Sequence, residues 1–303
     1  MADTINFFKR AIEIDPEYAL AHAKLAFAYA WTAVAIEPGN SKWQDLARDE
    51  LNKAQELDPD IAETHATHAY MLWTSYDGYQ SAVAIRELLL AKQLDPNGSY
   101  PSLPALLGHI GLDDIASREL QRAQEIDPTS QSLKDLKMIL LYLRADADAW
   151  FAERQKFPSG FAHTDPWYYL HKGQLDEAQK AIDERLPKSP ENYNLLMQPA
   201  LLMALRGDFT KAEERVPGIL SKIQPVDQGR HHLTYDAACI YALAGNATDA
   251  VKWLRETAAT GFPNYPLFAR DPFLNRIRQA SEFIQFMTQQ KDQWEKYREE
   301  FGN

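Results

Sequence analysis

Apolar residues recur three and four positions apart along most of the chain, the spacing that lines one face of an α-helix. Short polar breaks interrupt this pattern, and the breaks repeat. AIEIDP at residues 11–16 returns as AQELDP at 54–59, AKQLDP at 91–96 and AQEIDP at 123–128. A second signature is a glycine followed five residues later by alanine: Gly111 and Ala116, Gly173 and Ala178, Gly207 and Ala212, Gly245 and Ala250. The two signatures interlock, because Ala47, Ala84, Ala116 and Ala178 each stand twelve residues before Pro59, Pro96, Pro128 and Pro190.

Each element has a physical role. Glycine accepts the left-handed backbone that turns one helix back on another, and the small alanine lets the two helices approach closely. Asp-Pro ends the second helix, since proline has no N–H for the ladder and pushes its predecessor out of helical geometry. The unit is therefore a helical hairpin. A lone hairpin cannot bury its apolar face, so successive hairpins are expected to stack around a continuous core.

These interlocked positions resemble the tetratricopeptide repeat (TPR) family, whose unit is a pair of antiparallel helices. His22, Leu25, Ala26 and Tyr29 match the family's first-helix positions, and Ala47, Leu51, Ala54 and Pro59 its second-helix positions. Ala237, Ala238, Tyr241, Gly245 and Ala250 match in the same way. The resemblance implies an all-α, right-handed superhelical solenoid over residues 1–303. Its parts are a half repeat at 1–18, repeats at 19–144, an irregular middle at 145–163, further repeats at 164–259 and capping helices at 260–303. Residues 32–42 lengthen the first loop, Pro104 shortens one first helix, and 145–166 keep a helical pattern without the consensus. Residues 261–287 are similar to the closing segment of TPR regions in bacterial multidomain signalling proteins such as Ser/Thr kinases, adenylate cyclases and winged-helix regulators. The long helix expected after Ser281 offers Phe283, Phe286, Trp294 and Tyr297 for packing. The sequence holds no glycine-rich phosphate loop, kinase catalytic loop or basic recognition helix.

Composition narrows the function. The 303 residues carry a formal charge of -11 with a pI near 5.2. That balance disfavours nucleic acid, whose binding needs a basic face to release counterions, and favours a partner with a basic segment. One cysteine, Cys239, excludes an internal disulfide and a thiolate metal cluster. The most apolar stretches, 25–36 and 138–143, fall short of a bilayer span. No membrane, cofactor or metal is expected, and the expected location is the cytoplasm.

Candidate chemistry is sparse. Glu63, His65 and His68 form ETHATH, with two histidines one turn apart that could share a metal, yet both fall at packing positions of a first helix. His231 and His232 stand at a helix start, suited to capping or a peptide contact; adjacent side chains leave a helix in different directions and make a poor chelate. Cys239, in an apolar helix, reads as an inert core thiol. Asp146 and Asp148 read as helix-start or solvated residues. No catalytic group is expected.

The TPR resemblance implies that the first helices line a concave groove for a protein or peptide partner. In that register Lys24, Phe27 and Trp31 line it first, then Tyr70 and Trp73, then Asn194, Gln198 and Leu201, then His232, Tyr235 and Asp236. Related domains that grip the acidic tails of heat-shock chaperones use Lys, Arg and Asn on successive first helices. Only Lys24 is basic here, so that specificity is not implied. The expected function is a non-catalytic scaffold; the alternative is an enzyme or small-molecule sensor with a pocket at residues 150–167. Residues 4–14 carry a second-helix signature with no first helix before it. A lone helix can serve as an N-terminal cap, but its surplus of apolar residues (Ile5, Phe7, Phe8, Ile12, Ile14) favours an edge cut from a longer chain and open to self-association.

Overall fold

A computed structural model describes residues 1–156, 165–190, 192, 195–224, 226 and 229–302, with the backbone alone at 193 and 194. Among the described residues there are helices and no strands, as the repeats require. The chain forms two compact units: residues 1–106 with 121–129 and 224–228, and residues 107–120 with 130–223 and 229–303.

In the first unit, α1 (Ala2–Ile14), α2 (Ala19–Trp31) and α3 (Ser41–Leu57) are followed by α4 (Ala62–Leu72) and α5 (Ser81–Leu94). Ala21, Ala23, Leu25, Ala26, Ala28 and Ala30 are at most 1% exposed, so α2 is surrounded by its neighbours. Part of the predicted long loop continues that helix. Residues Thr32–Ile36 form a π-helical turn, with the Glu37 N–H donating to the Thr32 carbonyl at 2.8 Å. The apolar run therefore reaches 18 residues, Ala19–Ile36, with mean hydropathy 1.3, which corrects the expectation that every apolar stretch is too short to span a bilayer. Two thirds of it (67%) is buried, as in a core helix. Helix α1 leans on this core through Ile5, with Phe8 and Ile12 half-buried, while Phe7 and Ile14 point into solvent.

The Asp-Pro turns are tied to the hairpins that follow them. His22 Nδ1 lies 2.6 Å from Glu50 Oε2 and its Nε2 3.1 Å from the Pro16 carbonyl. His65 repeats this arrangement with Glu87 at 2.7 Å and the Pro59 carbonyl at 2.9 Å. Each histidine thus spans from the turn before its helix to a glutamate on the helix after it. These contacts, and His68 Nδ1 at 3.3 Å from the second Glu87 oxygen, place the ETHATH histidines around a carboxylate.

The second unit contains the end of α6 (Ser102–His109), the start of α7 (Asp113–Ile126), then α8 (Gln131–Leu143), α9 (Ala147–Arg154), α10 (Asp165–His171) and α11 (Leu175–Arg185). There follow α12 (Tyr193–Leu196), α13 (Gln198–Leu205), α14 (Phe209–Leu220), α15 (Arg230–Ala244), α16 (Ala247–Ala259), α17 (Tyr265–Arg270) and α18 (Ser281–Phe301). Its hairpin turns share one hydrogen-bond pattern. Gly111, Gly173, Gly207 and Gly245 all have positive φ. At each, the glycine N–H donates three residues back and the next N–H five residues back, closing the last helical carbonyls. The alanine five residues later is fully buried in every case.

The described part of the irregular middle obeys the same rule in disguise. Ala145 has φ +50, its N–H donates to Tyr142 and that of Asp146 donates to Leu141. Five residues on, Trp150 is 1% exposed where the other turns bury alanine. Helices α8 and α9 are therefore a further hairpin, with alanine in the glycine place and tryptophan in the alanine place. Residues 157–163 of the predicted middle lie outside the described residues. Trp150, Trp167 and Met138 form a packed cluster with Tyr142, Phe151 and Tyr168 around it, so among the described residues the two tryptophans that bound the alternative pocket are core side chains.

The C-terminal segment also does more than cap one end. Asn264 Nδ2 donates to the Gly108 carbonyl at 2.9 Å while its Oδ1 accepts from the Leu267 N–H, capping α17. Trp294 Nε1 donates to the Gly111 carbonyl at 3.1 Å, and Arg270 pairs with Asp113 at 3.0 Å. A Cβ on Gly111 would stand 2.6 Å from Pro266 Cδ, so glycine serves both the turn and this close approach. Contact thus runs beyond nearest-neighbour hairpins.

Ala145 gives a direct test. A left-handed L-residue costs about 1–2 kcal/mol, and the extra freedom of unfolded glycine returns about 0.4–1 kcal/mol. Ala145→Gly should raise stability by about 0.5–1 kcal/mol in urea unfolding. Gly245→Ala, where a Cβ meets nothing within 4 Å, should lower it by about 1 kcal/mol from strain alone. A destabilised Ala145→Gly protein would refute the left-handed turn.

Candidate functional site

Two places bring together the predicted groove residues, one in each unit. In the first unit, Lys24, Phe27 and Trp31 follow one another at helical spacing on α2. Phe27 and Trp31 are 37% and 38% exposed despite their size. Tyr70 of α4 lies beneath them, with ring centroids 5.2 Å from Phe27 and 6.2 Å from Trp31. The result is an aromatic step, its upper surface in solvent and its base in the core. Lys24 Nζ lies 3.3 Å from Glu63.

Burial corrects the rest of the predicted lining. Tyr70 and Trp73 are 6% and 7% exposed, Tyr70 being covered by the rings of Phe27 and Trp31. In the second unit Gln198, Leu201, Tyr235 and Asp236 are buried and His232 is half-buried. These four are core residues, out of reach of a docked peptide. The Asn194 side chain lies outside the described residues.

The buried set in the second unit is unusually polar. Tyr235 Oη donates to Asp271 Oδ2 at 2.6 Å, the Phe273 N–H donates to Asp271 Oδ1 at 2.8 Å, and His171 Nε2 lies 4.0 Å from Asp271. Burial opposes the Asp271 charge, but His171, Tyr235 and the Phe273 amide outweigh it and hold the carboxyl below its ordinary range. Asp236 has weaker support, with Gln198 Nε2 3.4 Å from its Oδ2. Burial first, and Asp271 second, push it up to about 8. Cys239 is likewise driven well above its usual value by burial, in keeping with an inert core thiol.

Beside this network three imidazoles meet. His109 ends α6, and His231 and His232 stand in the first turn of α15. Their ligand atoms all lie within 4.8 Å of one another. The ring centroids of His231 and His232 are 4.4 Å apart, which corrects the expectation that adjacent histidines diverge. His109 is 5.1 Å from His231 and 5.4 Å from His232. Burial, reinforced by the neighbouring imidazoles, keeps His231 and His232 neutral, well below the ordinary histidine range.

The weak catalytic candidates are occupied structurally. Asp146 accepts from the Ala149 N–H at 3.0 Å as the N-cap of α9, and Asp148 pairs with Lys172 at 2.9 Å. His109, Asp271, Phe262 and Asn264 escape sequence reasoning, since each acts through partners brought near by folding.

Asp236 makes the second unit sensitive to pH. Its folded value near 8 lies above the unfolded 3.8, so the folded state holds a proton that the unfolded state has released. Its contribution is fully present below about pH 4 and is lost as pH rises through about 8, at up to about 1.4 kcal/mol per pH unit. Asp236→Asn should flatten the stability profile between pH 5 and 8 in urea titrations with a chelator present. An unchanged slope would show that Asp236 ionises in the folded state.

No protein-family model matches the chain, and no curated protein matches it. Solved structures of similar fold do. Yeast Tom70 is 19% identical, with a TM-score of 0.45, over 97% of this chain and 59% of that one. A tetratricopeptide repeat protein from Parabacteroides merdae is 13% identical, with a TM-score of 0.34, over 90% of each chain. This chain thus spans less than two thirds of Tom70.

Proposed function

We propose that the chain is a non-catalytic protein-interaction module that docks a peptide on the aromatic step of Phe27 and Trp31. The observation that carries this reading is the exposure of two large rings, 6.4 Å apart and tilted by 35°, on a helix that buries His22, Leu25 and Tyr29. Exposed aromatic anchors on a rigid base supply contact area at low entropic cost. The fit is to an extended or helical peptide with an apolar anchor. The charge of -11 favours basic residues beside that anchor and an association rate that falls with salt. A scaffold role without catalysis agrees with the capping and pairing that occupy Asp146, Asp148 and the ETHATH histidines. The similarity of residues 261–287 to bacterial signalling proteins supports a place in a cytoplasmic signalling assembly.

Panning a phage-displayed peptide library tests the reading. Peptides joining an apolar residue to basic neighbours should be enriched on the wild type. Phe27→Ala with Trp31→Ala should weaken their binding at least tenfold, about 1.4 kcal/mol, with unchanged helical circular dichroism. Trp73→Ala should instead destabilise the unit, since that ring is core. Recovery of the same peptides with equal affinity on the Phe27/Trp31 variant would overturn the assignment.

A further inference from the structure

We propose that His109, His231 and His232 form a binding site for a divalent first-row transition-metal ion of the Zn2+ type, which ties the end of α6 to the start of α15. The site is independent of the aromatic step and lies wholly within the second unit.

Three observations carry the inference. The first is convergence: ligand atoms from residues 122 positions apart (231 − 109) lie within 4.8 Å of one another. Tetrahedral coordination with Zn–N bonds of about 2.0–2.1 Å places ligand nitrogens about 3.3 Å apart, so ring motion on the order of an ångström completes it.

The second observation is orientation. His231 Nδ1 donates to the Thr260 carbonyl at 3.0 Å, which fixes the ring and its tautomer. A ligating histidine is ordinarily held by such an outer hydrogen bond. His232 Nδ1 is sealed from solvent with no hydrogen-bond partner, a buried polar atom that a metal bond would satisfy.

The third observation is the support of the shell. Asn264 fixes the Gly108 carbonyl beside His109, and Arg230 pairs with Glu256 at 2.9 Å, holding α15 against α16 next to His231. Phe262 lies 5.4–5.7 Å from all three imidazoles and walls the site from water. His109 occupies the last turn of α6 and Thr260 follows α16, so the carbonyl ends of two helices favour a cation there. Imidazole donors without thiolate or carboxylate suit Zn2+, Cu2+ and Ni2+ and exclude Mg2+ and Ca2+. Three protein ligands leave a fourth position for water or a further ligand.

Zn2+ and Co2+ titrations of the full chain, made without a polyhistidine tag and freed of metal by a chelator, test the proposal. Calorimetry should show one Zn2+ per chain with micromolar or tighter affinity and a rise of several degrees in the melting temperature. His109→Asn and His232→Asn should each weaken binding at least 100-fold, and His65→Gln with His68→Gln should leave it unchanged. If the variants fail to fold, the wild type alone decides. The Co2+ complex should show the intense visible bands of four-coordination, and X-ray absorption of the Zn2+ form should show three imidazole ligands. Absence of stoichiometric binding, fewer than three imidazoles, or loss of binding in the His65/His68 variant would overturn the site.

Discussion

The hairpin turn is the constraint on which the second unit depends. A helix must stop, reverse within a few residues and lie close enough to its predecessor to bury a shared face. One left-handed residue supplies the reversal, and the residue buried five positions later fixes the separation of the helices. Turns at Gly111, Gly173, Gly207 and Gly245 meet this requirement with glycine and alanine. The turn at Ala145 meets it with a left-handed alanine and a buried Trp150. The constraint therefore belongs to backbone geometry, with residue type as its usual rather than obligatory solution.

This explains what could be read from the chain in advance. Glycine, alanine and proline report backbone requirements at fixed offsets, so the hairpins announce themselves wherever those residues are used. The α8–α9 hairpin was hidden because Ala145 and Trp150 carry neither signal, although their five-residue offset is intact. Depth within a unit was less legible. Phe27 and Trp73 both look like first-helix aromatics, yet one is exposed and the other buried, because depth depends on how α4 settles against α2. Contacts between distant residues left no local trace: nothing near His109 forecasts His231, and nothing near Gly108 forecasts Asn264.

The two units carry their chemistry differently. The aromatic step of the first lies at the surface, where Tyr70 holds Phe27 and Trp31 from below and solvent covers them from above. The second unit places histidines, carboxylates and an asparagine inside, where Thr260 holds His231, Tyr235 holds Asp271 and the Gly108 carbonyl holds Asn264. Buried polar groups of this kind confer specificity on a core when satisfied and destabilise it when not. Asp236, which accepts from Gln198 and whose pKa is raised by burial and by Asp271, makes this core sensitive to pH.

Hydroxyl-radical footprinting of the unliganded chain, read residue by residue by mass spectrometry, tests most directly whether an open aromatic step stands over a filled core. Phe27 and Trp31 should be oxidised rapidly, and Trp73, Trp150 and Trp167 should react many times more slowly. Protection of Trp31 equal to that of Trp73, or rapid oxidation of Trp150 and Trp167, would contradict the division between docking surface and core.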